Sequence, residues 1–261
     1  MQMKEFDRDM AQRGSNRSGR YLYAIVAGSE ERIYGLFGIA GGAVYTISDD
    51  RIAAVVSDIP YDKIRPERRH LAPHQEVLKH LMQKSTPLPM AFGIIAEGPK
   101  AIRRILAQNQ KVFLEHLHRV AGKVEMGLRI TWDVPNIFDY FVQTHPELRA
   151  ARDRLFGRHH EPTQADKIEI GRMFDRILND DRENYTEEAE KVLSKYCFEI
   201  KRNGYHDERQ VMSLSCLVGR KLLAQFEAGI FEAAGLFDNN FTFDYNGPWA
   251  PHNFVQIELM L

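Results

Sequence analysis

The chain has 261 residues, and its 35 lysine and arginine residues nearly balance its 36 aspartate and glutamate residues, for a formal net charge of −1. This balance excludes a protein that binds nucleic acid through a basic overall charge, although a local basic patch stays open. The longest apolar runs, such as residues 22–27 and 52–56, are too short to cross a bilayer. The length favours two domains.

The N-terminus and the cysteine content indicate the compartment. Residues 1–19 are polar and lack the apolar core of a signal peptide, which predicts a disordered leader. Cys197 and Cys216 are too few for a disulfide framework. We therefore expect a reducing, cytoplasmic setting.

The first half of the chain predicts an α+β domain over residues 20–156. Its strands are β-rich or alternating runs, and Pro73, Gly98-Pro99 and Asn136 mark helix starts. The predicted strands are 21–27, 44–48, 51–57 and 123–132, and the predicted helices are 74–83, 98–120, one from 136 and 146–156. The two polar residues Asp49-Asp50 between β-rich runs predict a tight hairpin. Elements in this proportion suggest an antiparallel-rich fold of the ferredoxin-like kind.

The second half predicts a smaller α+β domain over residues 165–246. Residues 157–164 are polar and broken by Gly and Pro, which indicates a linker between the domains. The order that follows is helix, strand, strand, helix, strand (αββαβ). The elements are a helix at 165–193, strands at 196–200 and 211–218, a helix at 221–235 and a strand at 241–245. The apolar faces of the two helices, which include Ile168 and Phe231, are predicted to point inward. Residues 247–261 form a C-terminal tail rich in proline and aromatic residues.

No pattern in the sequence predicts a cofactor, a metal or a catalytic centre. The glycines of residues 35–42 lead into a strand, whereas a nucleotide-binding motif needs a helix directly after them. We therefore interpret these glycines as a turn and bulge. The histidines lack metal-ligand spacing, and Pro73 argues against a helical face shared by His70 and His74. Both cysteines lie in apolar patterns typical of inert core residues.

The basic cluster at residues 65–70 is the best candidate for a charged partner. Asp62 and Glu67 dilute its charge, which favours a solvated surface. The aromatic strand motif with which RNA-binding sheets of this kind stack bases is missing. An RNA-associated protein stays an alternative that exposed sheet aromatics would favour.

The tail begins with the most unusual segment of the chain. Gly247 permits a sharp turn, Pro248 and Pro251 stiffen the backbone, and Trp249 and Phe254 supply large apolar side chains. Such a segment either clasps the protein's own domains or contacts a partner. If Trp249 is buried, its truncation to alanine should cost roughly 3–5 kcal/mol.

Several motifs, taken in chain order, resemble the gas vesicle protein F/L family. The tail pattern G-P-W-x-P-x-N-F-V is the most specific, and further matches are Y-L-Y-A-I at 21–25, A-P-H-Q-E-V-L at 72–78, P-L-P-M-A-F-G at 87–93 and G-K-V-E-M-G at 122–127. His252 departs from the pattern, which has an aromatic residue such as Tyr there. The tail positions are Gly247, Pro248, Trp249, Pro251, Asn253, Phe254 and Val255, and the other family-like positions are Pro89, Phe92, Gly93, Glu125 and Trp132.

The resemblance implies a minor gas vesicle protein needed for vesicle assembly, without catalysis. It implies two α+β domains with a ferredoxin-like N-terminal part. It also implies binding of the hydrophobic main shell protein, protection of that protein from aggregation, and other minor vesicle proteins as further partner candidates. We expect no nucleic acid and no membrane as partners, and a shell-associated location in the cytoplasm. The alternative is a small-molecule-binding regulatory protein or enzyme with a pocket between two ferredoxin-like domains.

Overall fold

The computed structural model describes residues 18–156 and 163–260. Its internal contacts divide the chain into two compact units. Unit 1 contains residues 18–125 and, from the C-terminal end, residues 248–260, whereas unit 2 contains the described residues from 126 to 247.

A six-stranded sheet and two helices form unit 1. Its elements are β1 (Ser18–Ala27), β2 (Ile33–Leu36), β3 (Ala43–Asp49), β4 (Ile52–Pro60), α1 (Arg68–Met82), β5 (Leu88–Pro89), β6 (Ile95–Glu97) and α2 (Gly98–Val120). The strand order is β2-β3-β4-β1-β5, and β6 also pairs with β1. β1 is antiparallel to β4, with Ile25 opposite Ala54. The continuous apolar run of β1 is buried from Tyr21 to Val26, as expected for a strand covered on both faces.

The predicted hairpin between β3 and β4 is present. Asp49 pairs with Ile52, so two residues make the turn. Asp50 adopts a φ of 52°, which a tight turn between two antiparallel strands requires.

The helices of unit 1 differ from the prediction in one respect. α1 begins at Arg68, so Pro73 lies inside the helix rather than at its start. The turn before the proline is formed, with the amides of His70 and Leu71 donating to the Glu67 carbonyl. α2 covers the sheet with one apolar stripe: Ile102, Ile105, Leu106, Phe113, Leu117 and Val120.

The second sheet has the order β10-β7-β9-β8. Its elements along the chain are β7 (Lys123–Trp132), α3 (Ile137–Thr144), α4 (Pro146–Phe156), α5 (Gln164–Leu193), β8 (Glu199–Arg202), β9 (Gln210–Gly219), α6 (Leu223–Ala234) and β10 (Phe241–Trp249). The succession strand, helices, two strands, helix, strand is the ferredoxin-like connection. The predicted αββαβ order appears within it, from α5 to β10.

The ferredoxin-like N-terminal domain that we predicted does not match the element order. Four strands precede the first α-helix of unit 1, whereas in a ferredoxin-like fold (βαββαβ) a helix directly follows the first strand. The strand at 123–132, predicted as the last of the N-terminal domain, lies instead in the second sheet. The mixed α+β class is correct for the chain as a whole.

Two local predictions about unit 2 have different outcomes. Asn136 caps α3 as expected, its side chain accepting a hydrogen bond from the Asp139 amide at 3.1 Å. Ile168 and Phe231, predicted to face inward, are 46% and 72% exposed. Ile168 is exposed because the buried face of α5 passes through Ile170, two residues further along the helix.

The observed units and elements also differ from the predicted segment boundaries. Residues 1–17 of the predicted leader lie outside the described residues, but Ser18 already belongs to β1. Residues 157–162 of the predicted linker also lie outside them, and Gln164 is helical. The tail starts inside a strand, because β10 runs to Trp249. β10 is the first strand in its sheet order and therefore an edge strand, where a proline such as Pro248 is tolerated better than in a central strand.

Candidate functional site

The tail motif contacts unit 1 at a site that we call the tail site, made of Glu125, Pro251, Asn253 and Phe254. The Glu125 carboxylate, 6% exposed, accepts one hydrogen bond from the Asn253 backbone amide at 2.9 Å and another from its Nδ2 at 2.6 Å. Phe254 is fully buried, and the Arg119 guanidinium donates to its carbonyl at 3.4 Å. A buried carboxylate needs such donors to offset its lost hydration.

The first residues of the tail are more exposed than the tail site. Gly247 adopts a φ of 123°, a conformation that a side chain would strain. Pro248 is exposed, and Trp249 is 37% exposed with the Lys79 ammonium 5.9 Å from its ring centre. Trp249 is therefore not fully buried, and we do not expect its truncation to alanine to cost the large stability loss predicted for a buried tryptophan. Phe254 is the buried aromatic anchor of the tail.

Family-like positions also meet in a second buried group, the aromatic cluster of Tyr21, Tyr23, His74 and Phe92. The ring centres of Tyr21 and Phe92 lie 6.0 Å apart, as do those of His74 and Phe92. The Gly93 amide donates to the Tyr21 hydroxyl at 3.2 Å, and this hydroxyl lies 2.8 Å from His74 Nδ1. The tautomer of His74 sets which of these two atoms donates the hydrogen bond.

Burial sets the protonation states of the aromatic cluster. It lowers the pKa of His74 to about 4, and the nearby His252 lowers it further in the same direction. Burial likewise raises the pKa of Tyr21 and of Tyr23 above their ordinary value. These groups are neutral at pH 7. The arrangement suits a rigid core better than proton transfer.

Two polar partners of this cluster had no signal in the sequence. The Tyr23 hydroxyl accepts a hydrogen bond from the Ile39 amide at 2.8 Å and lies 2.7 Å from Ser57 Oγ. Both partners are distant in sequence from Tyr23: Ser57 lies on β4, which pairs with β1, and Ile39 lies in the short 3-10 turn between β2 and β3. Pro89, another family-like position, pairs with Ala24 at the other side of β1.

Trp132, the remaining family-like position, lies in the core of unit 2. It is 2% exposed, and its ring contacts Phe141 and Phe241 at centre distances of 5.3 and 6.3 Å. The Arg182 guanidinium lies 5.9 Å from the Trp132 ring centre and donates to the Gln210 carbonyl at 2.9 Å. Burial lowers the pKa of Arg182. Sequence reasoning missed this buried arginine, because it occupies an ordinary charged position of a long helix.

The histidines and cysteines form no cluster suited to a metal ion within residues 18–156 and 163–260. His70 and His74 both lie on α1, which continues through Pro73, and His70 is half-buried while His74 is buried. The Cys197 thiol donates to the Leu193 carbonyl at 3.2 Å, and Cys216 is buried. None of the helices in the described part of the chain is both long and apolar enough to span a membrane.

The most exposed large apolar side chains of unit 1 lie together on one strand. Ile33 and Leu36 are 83% and 79% exposed. Their strand, β2, stands first in the strand order and therefore at an edge of the sheet. We call these two side chains and their strand the edge patch. Edge strands present backbone groups without a neighbouring strand, and apolar side chains there favour pairing with another chain.

Comparisons of sequence place this chain among gas vesicle proteins. The family model described as gas vesicle synthesis protein GvpL/GvpF matches residues 19–256. Gas vesicle protein F of Nostoc sp. is 25% identical over 92% of this chain and 99% of its own length. Gas vesicle protein F of Haloferax mediterranei is 26% identical over 92% of this chain and 94% of its own length. Gas vesicle protein L1 of Halobacterium salinarum is 25% identical over 91% of this chain and 90% of its own length.

Solved structures show the same fold. The crystal structure of the gas vesicle protein GvpF from Anabaena sp. superposes with a TM-score of 0.81 at 23% identity, covering 92% of this chain and 99% of that chain. The GvpF structure from Microcystis aeruginosa gives a TM-score of 0.77 at 20% identity, with the same coverage. With the family model matching nearly the whole described chain, the protein belongs to the gas vesicle synthesis protein GvpL/GvpF family.

Proposed function

We propose that this protein is a minor gas vesicle protein that assists vesicle assembly by binding the hydrophobic main shell protein and preventing its aggregation. The role needs no catalysis. Family membership supports an association with gas vesicles, and a shell subunit facing a gas space must expose apolar surface that aggregates in water before assembly. Shell association in the cytoplasm, with other minor vesicle proteins as further partners, is part of the same proposal.

The edge patch is the observation that carries the proposal. Ile33 and Leu36 stay largely in water although each would gain free energy on burial. A partner strand that pairs with β2 would cover both side chains and satisfy the outward backbone groups of the edge. An apolar shell segment has the chemistry that such an edge accepts.

Co-expression tests the proposal. We expect this protein to keep the main shell protein in the soluble fraction and to retain it in a pull-down. Ile33→Glu combined with Leu36→Glu should lower the retained fraction about ten-fold or more, because both charges would have to be buried on binding. Phe231→Glu is the matched control, since Phe231 is 72% exposed on α6 of unit 2.

Two results would contradict the proposal. The shell protein could aggregate to the same extent with and without this chain. Equal losses for the edge variant and the Phe231→Glu control would instead show that the edge patch is not the binding surface.

The alternative function, small-molecule binding between two ferredoxin-like domains, assumes that both domains have this fold. Only the elements of unit 2 follow the ferredoxin-like connection among the described residues.

A further inference from the structure

We infer that unit 1 carries a groove that binds an extended segment with apolar side chains at every second position, and that the protein's own residues 255–260 occupy it as an intramolecular ligand. We call this surface the tail groove. It is the part of the unit 1 core, including Asn109 of α2, that residues 255–260 cover. The tail groove is distinct from the edge patch and from the Glu125 contacts of the tail site.

Side-chain alternation shows how the segment lies in the groove. Val255, Ile257 and Leu259 are partly buried and pack against the hydrophobic core cluster of unit 1, whereas Gln256 and Glu258 are exposed. Alternation with period two is the pattern of an extended chain with one covered face. Residues 255–260 nevertheless form no strand ladder with the sheet. Their apolar side chains therefore account for most of the contact.

Asn109 holds the backbone of the segment. Its side chain is 2% exposed, in the middle of the apolar stripe of α2. Its Nδ2 donates to the Met260 carbonyl at 3.0 Å, and its Oδ1 accepts from the Met260 amide at 3.0 Å. A side-chain amide that pairs in both directions acts as a neighbouring peptide group would.

This contact does not depend on which side chain stands at position 260. Both bonds go to the main chain of Met260, and the Met260 side chain is 58% exposed. Asn109 can therefore hold any extended segment whose apolar residues match the groove. With the groove empty, Asn109 would keep only its bond to the Ile105 carbonyl, and apolar core would face water.

The ligand of the groove is thus an extended, apolar, alternating segment of a partner that displaces residues 255–260. The main shell protein is its source, a step that rests on the proposed function. The tail would cover the groove until such a segment arrives. Only the fraction of molecules with an open groove can bind, so the tail lowers the apparent affinity.

A labelled peptide tests the inference in the full chain. The probe is a fluorescein-labelled peptide with the sequence of residues 255–260, Val-Gln-Ile-Glu-Leu-Met, and its binding is followed by fluorescence anisotropy. Ile257→Asp weakens the protein's own tail and leaves the groove unchanged. We expect this variant to bind the probe about ten-fold or more tightly than the unmodified chain. Adding Asn109→Ala should remove most of the gain.

The matched control is Gln256→Asp, which adds the same charge to the exposed side of the same segment. It should bind the probe as the unmodified chain does. A probe with Asp in place of its central Ile should bind none of the variants. If circular dichroism shows that Ile257→Asp lowers the folded fraction, Leu259→Ala is used instead, because it removes fewer contacts between the tail and the groove.

Several outcomes would overturn the inference. One is equal probe affinity of the Ile257→Asp and Gln256→Asp variants. Another is that the Ile257→Asp variant keeps its higher probe affinity after Asn109→Ala is added. The third is that Ile257→Asp or Leu259→Ala protein, shown to be folded, binds the probe no more tightly than the unmodified chain. The proposed function is judged separately, by the shell-protein pull-down with the edge variant. A chain that retains the shell protein but never binds the probe refutes the groove alone.

Discussion

Replacing Glu125 by glutamine should release the tail of unit 1. In the native protein the Glu125 carboxylate accepts two hydrogen bonds from Asn253, at 2.9 and 2.6 Å, in a site where Glu125 is 6% exposed. Glutamine keeps one acceptor oxygen but turns an NH2 group toward the second donor. One charge-assisted bond is lost, and the other becomes a neutral bond.

The structure allows an estimate of the effect. Loss of a hydrogen bond to a charged group costs about 1.5–3 kcal/mol. Applied to local opening of the tail, this corresponds to an increase of about 10- to 150-fold in the open population. The Asn253 amide is the most direct reporter, because it donates to the carboxylate itself.

Hydrogen exchange measured by mass spectrometry provides the assay. Peptides that cover residues 250–256 should exchange about one to two orders of magnitude faster in Glu125→Gln protein, while peptides from unit 2 should be unchanged. Glu76→Gln, at an exposed position of α1, is the matched control and should have no effect. Tail exchange within about three-fold of that control would refute the reasoning.

Two further predictions concern the cores of the two units. The free energy of unfolding of unit 1 should fall by about 3 kcal/mol between pH 6.5 and pH 4, because burial lowers the pKa of His74 from 6.5 to about 4 and the unfolded chain then binds more protons than the folded one. Urea titrations at several pH values measure this fall, and a His74→Gln variant that keeps the same slope would contradict it. In unit 2, Gly229→Ala should lower the free energy of unfolding by about 1–3 kcal/mol, because the added Cβ would lie 2.4 Å from Cδ2 of the Tyr196 ring. Thermal unfolding checks this loss, and a loss of the same size in a Tyr196→Ala background would show that the ring is not its cause.

Local elements followed from local sequence patterns. The run at residues 21–27 predicted β1, two polar residues between β-rich runs predicted the β3–β4 hairpin, and Asn136 predicted the start of α3. These features depend on neighbouring residues only, through side-chain periodicity, turn conformation and capping. Pro73 misled the prediction because proline is typical of the first helical turn, whereas Pro73 stands five residues after the start of α1 at Arg68.

Exposure within an element was less predictable than the element itself. Phe231 fits the apolar pattern of α6 yet is 72% exposed, and Trp249 is 37% exposed although Phe254, five residues away, is fully buried. An apolar pattern shows which face of a helix or strand can be covered. It does not show how far the covering element extends.

The sequence by itself determined the mixed α+β class, most of the helices and strands, and the motifs by which the family was identified. The tertiary structure alone decided that the strand at 123–132 joins the second sheet, that the ferredoxin-like connection lies in unit 2, and that the tail returns to unit 1. Glu125 and Asn253 are 128 positions apart, and no short-range pattern relates residues at such a distance. Their contact is stable because the hydrogen bonds from Asn253 replace the hydration that the Glu125 carboxylate loses on burial.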